Sequence, residues 1–385
     1  MKIACLSPDD HSTLIFCKTF IDILKKDIDA DVYTISPIDL YRNEIENLKS
    51  THIEIKMFRW ISIFSDITYM INLFKIFKKN KFDHIITFTT KPNIYGPIIA
   101  SLVGVKNITI AVRGLGQAFN TKKTFKQIVL RLILKYLYKL SCTRSHQVWF
   151  TNKSDQKLFI NEKIVNQDKT VISKNALDLN FFSINSVNDN RLAFLRKELN
   201  IKPGDQVVIM VARLILSKGI REYVNAAIEL KDKFPRLHFI LVAPVEENSN
   251  ESISEKYILI SEQHSNLKWL GFRKDVRELY AISDISVLPS YYREGGYPRA
   301  LLEAMALSKP VIAADTDHCR SPVEEGKNGY IIPIKDYLAL SEAIEKIIIS
   351  KNRLLEFGKY SRIKVENEFD DQKVIRSVLK KINIY

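Results

Sequence analysis

With 385 residues, the chain is longer than one compact core normally organises, and at about 150 residues per domain it implies two domains. A hydrophobic share of 46% with 26% charged residues is an ordinary globular balance, and the four cysteines (Cys5, Cys17, Cys142, Cys319) lack the spacing of a disulfide framework or a zinc site. The net charge of +14 calls for an anionic surface or ligand.

The elements alternate from the start. Strands are predicted over 2–6, 30–35, 84–87, 107–112, 147–151 and 170–173. Between them lie helices over 12–26, 95–103 and 122–140, an amphipathic segment over 60–79, and a helix beginning at 152–159. Strands near 30 residues apart with helices between them argue for βαβ units and a parallel sheet. A polar linker over 183–190 precedes a second such pattern. Its strands are expected at 206–212, 237–243, 267–270, 285–288 and 310–314, with helices at 219–234, 252–264, 273–281 and from Pro298. The expected class is α/β, with two Rossmann-like domains facing across a cleft: 1–185 and 186–370, then a last helix over 371–385.

No signal peptide is visible, since residues 1–10 read as a short strand followed by an acidic turn. No run reaches the ~18 uncharged apolar residues a spanning helix needs; the nearest, 60–74, is interrupted by Asp66. The expected location is the cytoplasm. Residues 84–154 contain no acid and eleven Lys or Arg. Within that block, Phe125, Ile128, Val129, Leu132, Ile133, Tyr136, Leu137 and Leu140 repeat at helical spacing as a core-facing stripe. Leu130, Leu134 and Tyr138 add apolar surface, and Arg131, Lys135 and Lys139 form a basic row. Such a helix suits an anionic bilayer, the alternative being a core helix with a solvated basic edge.

Residues 289–314 carry the densest chemistry. A strand runs into a loop with Glu294, Gly295 and Gly296, and the helix that follows carries Glu303. This layout gathers backbone N–H groups and the positive end of a helix dipole where a diphosphate can sit. Two nearby carboxylates suit hydroxyls of the same ligand, and together these features describe a nucleotide-sugar. Upstream, Arg213 and Lys218 stand between the end of a strand and a helix that opens at Gly219. Two cations there can neutralise both phosphates and stabilise them as they leave.

The 289–314 segment resembles the signature of retaining glycosyltransferases of the GT-B fold, in the large family 4 that includes bacterial polysaccharide and O-antigen transferases. The family pattern separates its two glutamates by seven residues; here Glu294 and Glu303 are separated by eight, the extra residue being Gly295 or Gly296. The resemblance implies that Arg213 and Lys218 hold the donor diphosphate. It likewise implies that Glu294 binds the donor sugar and Glu303 the ribose. Gly295, Gly296, Tyr297, Pro298, Arg299, Ala300, Leu301, Phe272 and Arg273 complete the implied donor set. In the first domain it points to His11, Asn93, Arg113 and Gly114 as acceptor- or sugar-binding residues. Many relatives carry His at the Arg113 position, so Arg113 serves either the donor sugar or an acceptor phosphate. The usual Gly-Gly pair of the first loop is replaced by 8–11, Pro-Asp-Asp-His.

The implied reaction moves a hexose or N-acetylhexosamine from a UDP-sugar to a lipid-diphosphate-linked glycan, at the inner face of the cell membrane. No cofactor and no metal are expected. Asp27-Ile-Asp29 and Asp315-Thr-Asp317 look like metal-binding DxD motifs but read as loop carboxylates. A UDP-sugar epimerase on the same fold is the alternative within enzymes, and would need acid and base carboxylates that the first domain does not offer. A basic nucleic-acid binder is the alternative outside them. No RRM, KH or helix-turn-helix signature supports it, so nucleic acid is not an expected partner.

Overall fold

The computed structural model describes residues 1–58, 62–115, 119, 125–246, 249–293 and 295–385. The chain divides into two compact units: Met1–Lys174 joined by Asp371–Tyr385, and Asn175–Asp370.

The first unit is built in order from β1 (Lys2–Leu6), α1 (Asp10–Ile28), β2 (Asp31–Ser36), α2 (Arg42–Glu46), β3 (Thr51–Glu54), α3 (Ile63–Asn80) and β4 (His84–Phe88). It continues with α4 (Thr90–Leu102), β5 (Asn107–Val112), α5 (Phe125–Arg144), β6 (Gln147–Phe150), α6 (Lys153–Asn161) and β7 (Thr170–Ile172). All its strands run parallel, in the order β3-β2-β1-β4-β5-β6-β7. β4 is buried along its whole length, as a strand covered by helices on both faces must be. Strand order reverses between β1 and β4, where a parallel sheet leaves a crevice beyond the carboxyl ends of its strands.

The second unit contains α7 (Asp189–Glu198), β8 (Gln206–Val211), α8 (Ile220–Leu230), β9 (Leu237–Val242), α9 (Glu255–His264), β10 (Leu267–Trp269) and α10 (Val276–Ile282). After them come β11 (Ile285–Leu288), α11 (Arg299–Ala306), β12 (Val311–Ala314), β13 (Gly329–Ile332), α12 (Tyr337–Ile348) and α13 (Lys351–Glu368). Its strands are also parallel, ordered β10-β9-β8-β11-β12-β13, so the reversal falls between β8 and β11. The final helix, α14 (Asp371–Lys381), belongs to the first unit. Ile375, Val378 and Leu379 join Phe20, Ile21 and Leu24 of α1 in one core, and Arg376 reaches Asp27 at 2.9 Å.

Two expectations need correction. The boundary lies at 174/175 and not at 185/186, because Leu177 and Phe182 pack into the core of the second unit. Leu177 N donates to the Phe369 carbonyl at 2.9 Å, and Arg362 to that of Phe182 at 3.0 Å. The stretch read as a polar linker leads straight into α7. Secondly, α5 turns a different face inward. Phe125 is 82% exposed, Leu132 59% and Tyr136 67%, whereas Tyr138 is buried at 1%. Tyr138 packs on the rings of Phe119 and Phe159, with centroids 6.0 and 5.2 Å away, and Cys142 follows it into the core. A helix apolar on most sides does not announce which side packs, and the aromatic cluster decides it.

His84, buried in β4, bonds the Thr109 hydroxyl at 2.9 Å. Burial, helped by nearby His146, lowers its pKa from 6.5 to about 4. Between those values the unfolded chain binds a proton that the folded chain does not. Stability therefore falls as pH drops from about 6.5 to about 4, by roughly 1.4 kcal/mol per pH unit from this group. Urea midpoints measured across that range should decline less steeply in His84→Gln than in the parent chain.

Candidate functional site

At the β8/β11 reversal two loops are stitched together. The turn after β8 ends at Gly219, whose φ of +80° suits glycine and opens α8. A Cβ on Gly219 would lie 2.3 Å from the Pro289 carbonyl oxygen, so the backbones touch. The N–H groups of Tyr291 and Tyr292 both donate to the Ser217 carbonyl at 2.9 Å, and the Ser290 hydroxyl adds a bond at 3.3 Å. Ser217 itself hydrogen-bonds Glu251 through its hydroxyl.

This junction brings the two cations onto one ring. The Arg213 guanidinium carbon lies 5.1 Å from the Tyr292 centroid, and Lys218 Nζ lies 4.9 Å from it. Arg213 also approaches Glu246 at 3.6 Å. A π face attracts cations, so Tyr292 offsets part of the cost of gathering both charges at one junction. The ring carries no motif of its own; its sequence signal is only an aromatic two residues before Glu294. Chemically, the junction offers two cations and two helix N-termini, of α8 and α11, at one carboxyl edge, an arrangement suited to a diphosphate.

The rest of the expected donor set is distributed unevenly. Glu294 lies outside the described residues. Gly296 adopts φ +110° and is buried, and Gly295 is half-buried beside it. The Tyr297 ring packs edge-on against Phe369 at 4.9 Å, while its carbonyl accepts from Asn175 at 2.6 Å. Pro298 caps α11, and the Ala300 carbonyl accepts the Tyr280 hydroxyl at 2.9 Å. Leu301 is fully buried in the core. Arg299 ties the Ala176 carbonyl at 3.2 Å and pairs with Glu303, one turn on, at 3.1 Å. Burial raises the Glu303 pKa above the usual carboxylate range despite the opposing pull of Arg299. Phe272 is exposed. Arg273 forks onto Asp275 with two 2.7 Å bonds and reaches Glu198 at 2.9 Å, so its side chain ties α7 to α10. Those bonds lower the Asp275 pKa to about 2.

In the first unit, the loops after β1, β4 and β5 hold the remaining expected residues. His11 is exposed and stacks on Tyr41 at 5.2 Å. Its neighbour Asp10 is buried, which pushes its pKa up, but N–H bonds from Asp39, Tyr41 and His11 bring it below the ordinary value. Asp10 thus pins the loop that stands where relatives carry two glycines. Asn93 is fully buried, accepts from Thr87 at 2.8 Å and donates to the Ala111 carbonyl at 3.0 Å. Both ends of its amide are used in tying β4, α4 and β5 together. Arg113 sits over Phe16 and Trp149, 4.6 and 5.1 Å from their centroids, and Gly114 follows at φ +129°. Thr89, at the tip of β4, adopts φ +69° and ψ 176°, a conformation nearly reserved for glycine. Nothing in the sequence around Thr89 announced that strain, which stands at the β1/β4 reversal.

Both DxD look-alikes are engaged in structure. Asp27 holds Arg376 and Tyr385, and Asp315 holds Arg320 at 2.9 Å. Among the described residues, no cluster of three His, Cys, Asp or Glu could hold a metal ion.

The chain thus has two parallel-sheet α/β units, the second with a basic, glycine-turned junction at its strand reversal. Residues 193–364 match the family of glycosyl transferases group 1, and residues 2–152 match the glycosyl transferase 4-like family. The chain is 30% identical over 362 residues, 93% of it and 92% of the relative, to the N,N'-diacetylbacillosaminyl-diphospho-undecaprenol alpha-1,3-N-acetylgalactosaminyltransferase of Campylobacter jejuni. It is 27% identical over 314 residues, 81% of it and 78% of the relative, to the UDP-Gal:alpha-D-GlcNAc-diphosphoundecaprenol alpha-1,3-galactosyltransferase of Escherichia coli. In fold it is similar to HepE of Anabaena solved with UDP, at TM-score 0.77 and 18% identity, covering 100% of each chain. The chain belongs to the group 1 glycosyltransferases and has the GT-B fold.

Gly219→Ala should lower stability more than Gly271→Ala. Each places a side chain at positive φ, costing about 1–2 kcal/mol, but Gly271 has open space where Gly219 meets a backbone carbonyl. Chemical denaturation of the two variants reads the difference directly.

Proposed function

We propose that this glycosyltransferase is a retaining, metal-independent enzyme that transfers a hexose or N-acetylhexosamine from a UDP-sugar to a lipid-diphosphate-linked glycan. The observation that carries the reading is the placement of Arg213 and Lys218 on the face of Tyr292 at the β8/β11 reversal. The acceptor class follows the two enzymes above, both named for diphospho-undecaprenol-linked acceptors.

In this reading Arg213 and Lys218 neutralise the diphosphate, Glu303 binds the ribose, and Glu294 binds hydroxyls of the donor sugar. The bond between the anomeric carbon and the diphosphate oxygen breaks as charge develops on that oxygen, and the cations stabilise it. The acceptor hydroxyl attacks the anomeric carbon from the side the diphosphate leaves, which retains configuration. Its proton passes to the departing diphosphate oxygen. Products are UDP and a glycan longer by one sugar. Two fixed cations supply the charge that a divalent ion would otherwise bring.

The acceptor's lipid places the reaction at a membrane, and we read the enzyme as peripherally bound to its inner face. The exposed apolar side of α5 supports this, as does the acid-free segment around it. Arg131 and Lys135 of the basic row pair with Glu162, so α5 contributes more apolar than ionic attraction. Among the described residues, no helix is long and apolar enough to cross a membrane.

A UDP-release assay over a panel of UDP-hexoses and UDP-N-acetylhexosamines, with membrane lipid extract, tests the reading. Release is expected with one donor, rising with lipid and persisting in EDTA. Lys218→Ala should lower turnover roughly 10²–10³-fold while remaining folded. Tyr292→Leu should raise the donor KM about tenfold with a smaller change in kcat, and Tyr292→Phe should restore it. Unchanged turnover in Lys218→Ala would overturn the diphosphate assignment.

A further inference from the structure

The apolar surface of the first unit extends beyond α5. Along α3, Ile63 is 73% exposed, Phe64 86%, Ile67 51%, Ile71 50% and Phe74 38%. These positions form one stripe at helical spacing, while Tyr69, Leu73 and Phe77 face the core. Phe58, just before the helix, is also exposed, at 53%. A soluble protein rarely leaves so continuous an apolar row in water without a partner for it.

Four contacts fix how α3 lies. Asp66, in its first turn, pairs with Lys91 and accepts from the Tyr95 hydroxyl at 3.1 Å, both in the first half of α4. Lys91 also donates to the Phe58 carbonyl at 2.8 Å. At the far end, the Asn80 carbonyl accepts from Lys2, at the amino end of β1. The helix therefore runs from the carboxyl edge of the sheet, beside the strained Thr89, down to the amino edge. Its exposed apolar surface is greatest at the carboxyl edge and fades away from it. That same edge carries the loops with His11 and Arg113.

Charge selects the occupant. Asp66, the one acid of α3, is buried and paired, so the exposed face carries no negative charge. Lys75, Lys78 and Lys79 are exposed along the last turns, and Lys78 lies over the Phe74 ring at 5.7 Å. An apolar end followed by lysines fits a leaflet whose core is apolar and whose headgroups are anionic.

We propose that α3 seats the enzyme on an anionic bilayer, with the Ile63–Phe64–Ile67 end entering the acyl boundary and the lysines meeting the headgroups. This holds the carboxyl edge of the first sheet at the membrane surface, at the depth of a lipid-borne diphosphate. The inference deepens the reading above by naming the surface and the edge of the fold that meets the membrane.

The test uses the full chain and vesicles of phosphatidylcholine alone or mixed with phosphatidylglycerol. Phe64→Ser with Ile67→Ser removes two exposed side chains and should leave the thermal midpoint unchanged. It is expected to weaken partitioning onto phosphatidylglycerol vesicles about tenfold or more. UDP release with a short-chain, water-soluble acceptor should be retained. Separately, tryptophan at position 64 (Phe64→Trp) should be quenched by brominated acyl chains more strongly than tryptophan at position 74 (Phe74→Trp). Unchanged partitioning of the double variant, or equal quenching at the two positions, overturns the proposal. So does a dimer in size-exclusion that the double variant abolishes, which would make a second copy the occupant. Failure of the wild-type chain to release UDP from any donor sinks the transferase reading instead, and vesicle binding is scored independently of it.

Discussion

The Ser217 carbonyl oxygen accepts hydrogen bonds from two consecutive backbone N–H groups, those of Tyr291 and Tyr292, and the geometry of the second unit converges on that joint. It exists because a parallel sheet that reverses its strand order between β8 and β11 must leave two βα loops facing each other with no helix between them. Gly219 lets those loops touch, since any side chain there would enter the Pro289 carbonyl. Once they touch, Tyr292 is brought beneath both Arg213 and Lys218. The π face of Tyr292 thereby offsets part of the cost of gathering two like charges at one junction.

The first unit solves the same topological problem with different chemistry. At its β1/β4 reversal, no ring among the described residues holds two cations. Instead a buried carboxylate, Asp10, gathers the N–H groups of Asp39, Tyr41 and His11, and Arg113 is laid across Phe16 and Trp149. Asn93 and Thr87 lock the strand ends beneath. The described part of the edge is partly aromatic and tied from below. Thr89 stands on this edge at φ +69°, its carbonyl accepting the Asn93 N–H at 2.9 Å.

The charge of the chain acquires meaning only when it is placed. Arg131 and Lys135, counted in sequence as part of a basic surface, are partly neutralised by Glu162 from another helix. Arg273 is consumed by Asp275 and Glu198. The exposed lysines of α3, by contrast, lie on a face without acids and beside an apolar row. Net charge therefore gives only a sign, and tertiary structure decides which cations are engaged by carboxylates of other elements.

Local pattern was enough to read the strands other than β3 and β13, the two-unit α/β class, and the placement of Arg213, Lys218, Gly296 and Glu303 on loops and helices. Apolar runs of four to six residues between glycine and proline punctuation have few other uses, and a glycine at a strand-to-helix turn marks a demand for positive φ. Tertiary contacts decided the rest. They set the boundary at 174/175, because Leu177 and Phe182 find their partners far along the chain, at Phe369 and Arg362. They set the inward face of α5, because Phe119 and Phe159 cluster on Tyr138. They gave Asn93 a framework task and Tyr292 two cations to hold. In each case the deciding atoms come from residues remote in sequence. Periodicity reports that a side chain will be buried or a loop will turn, and only the folded chain supplies what it turns toward.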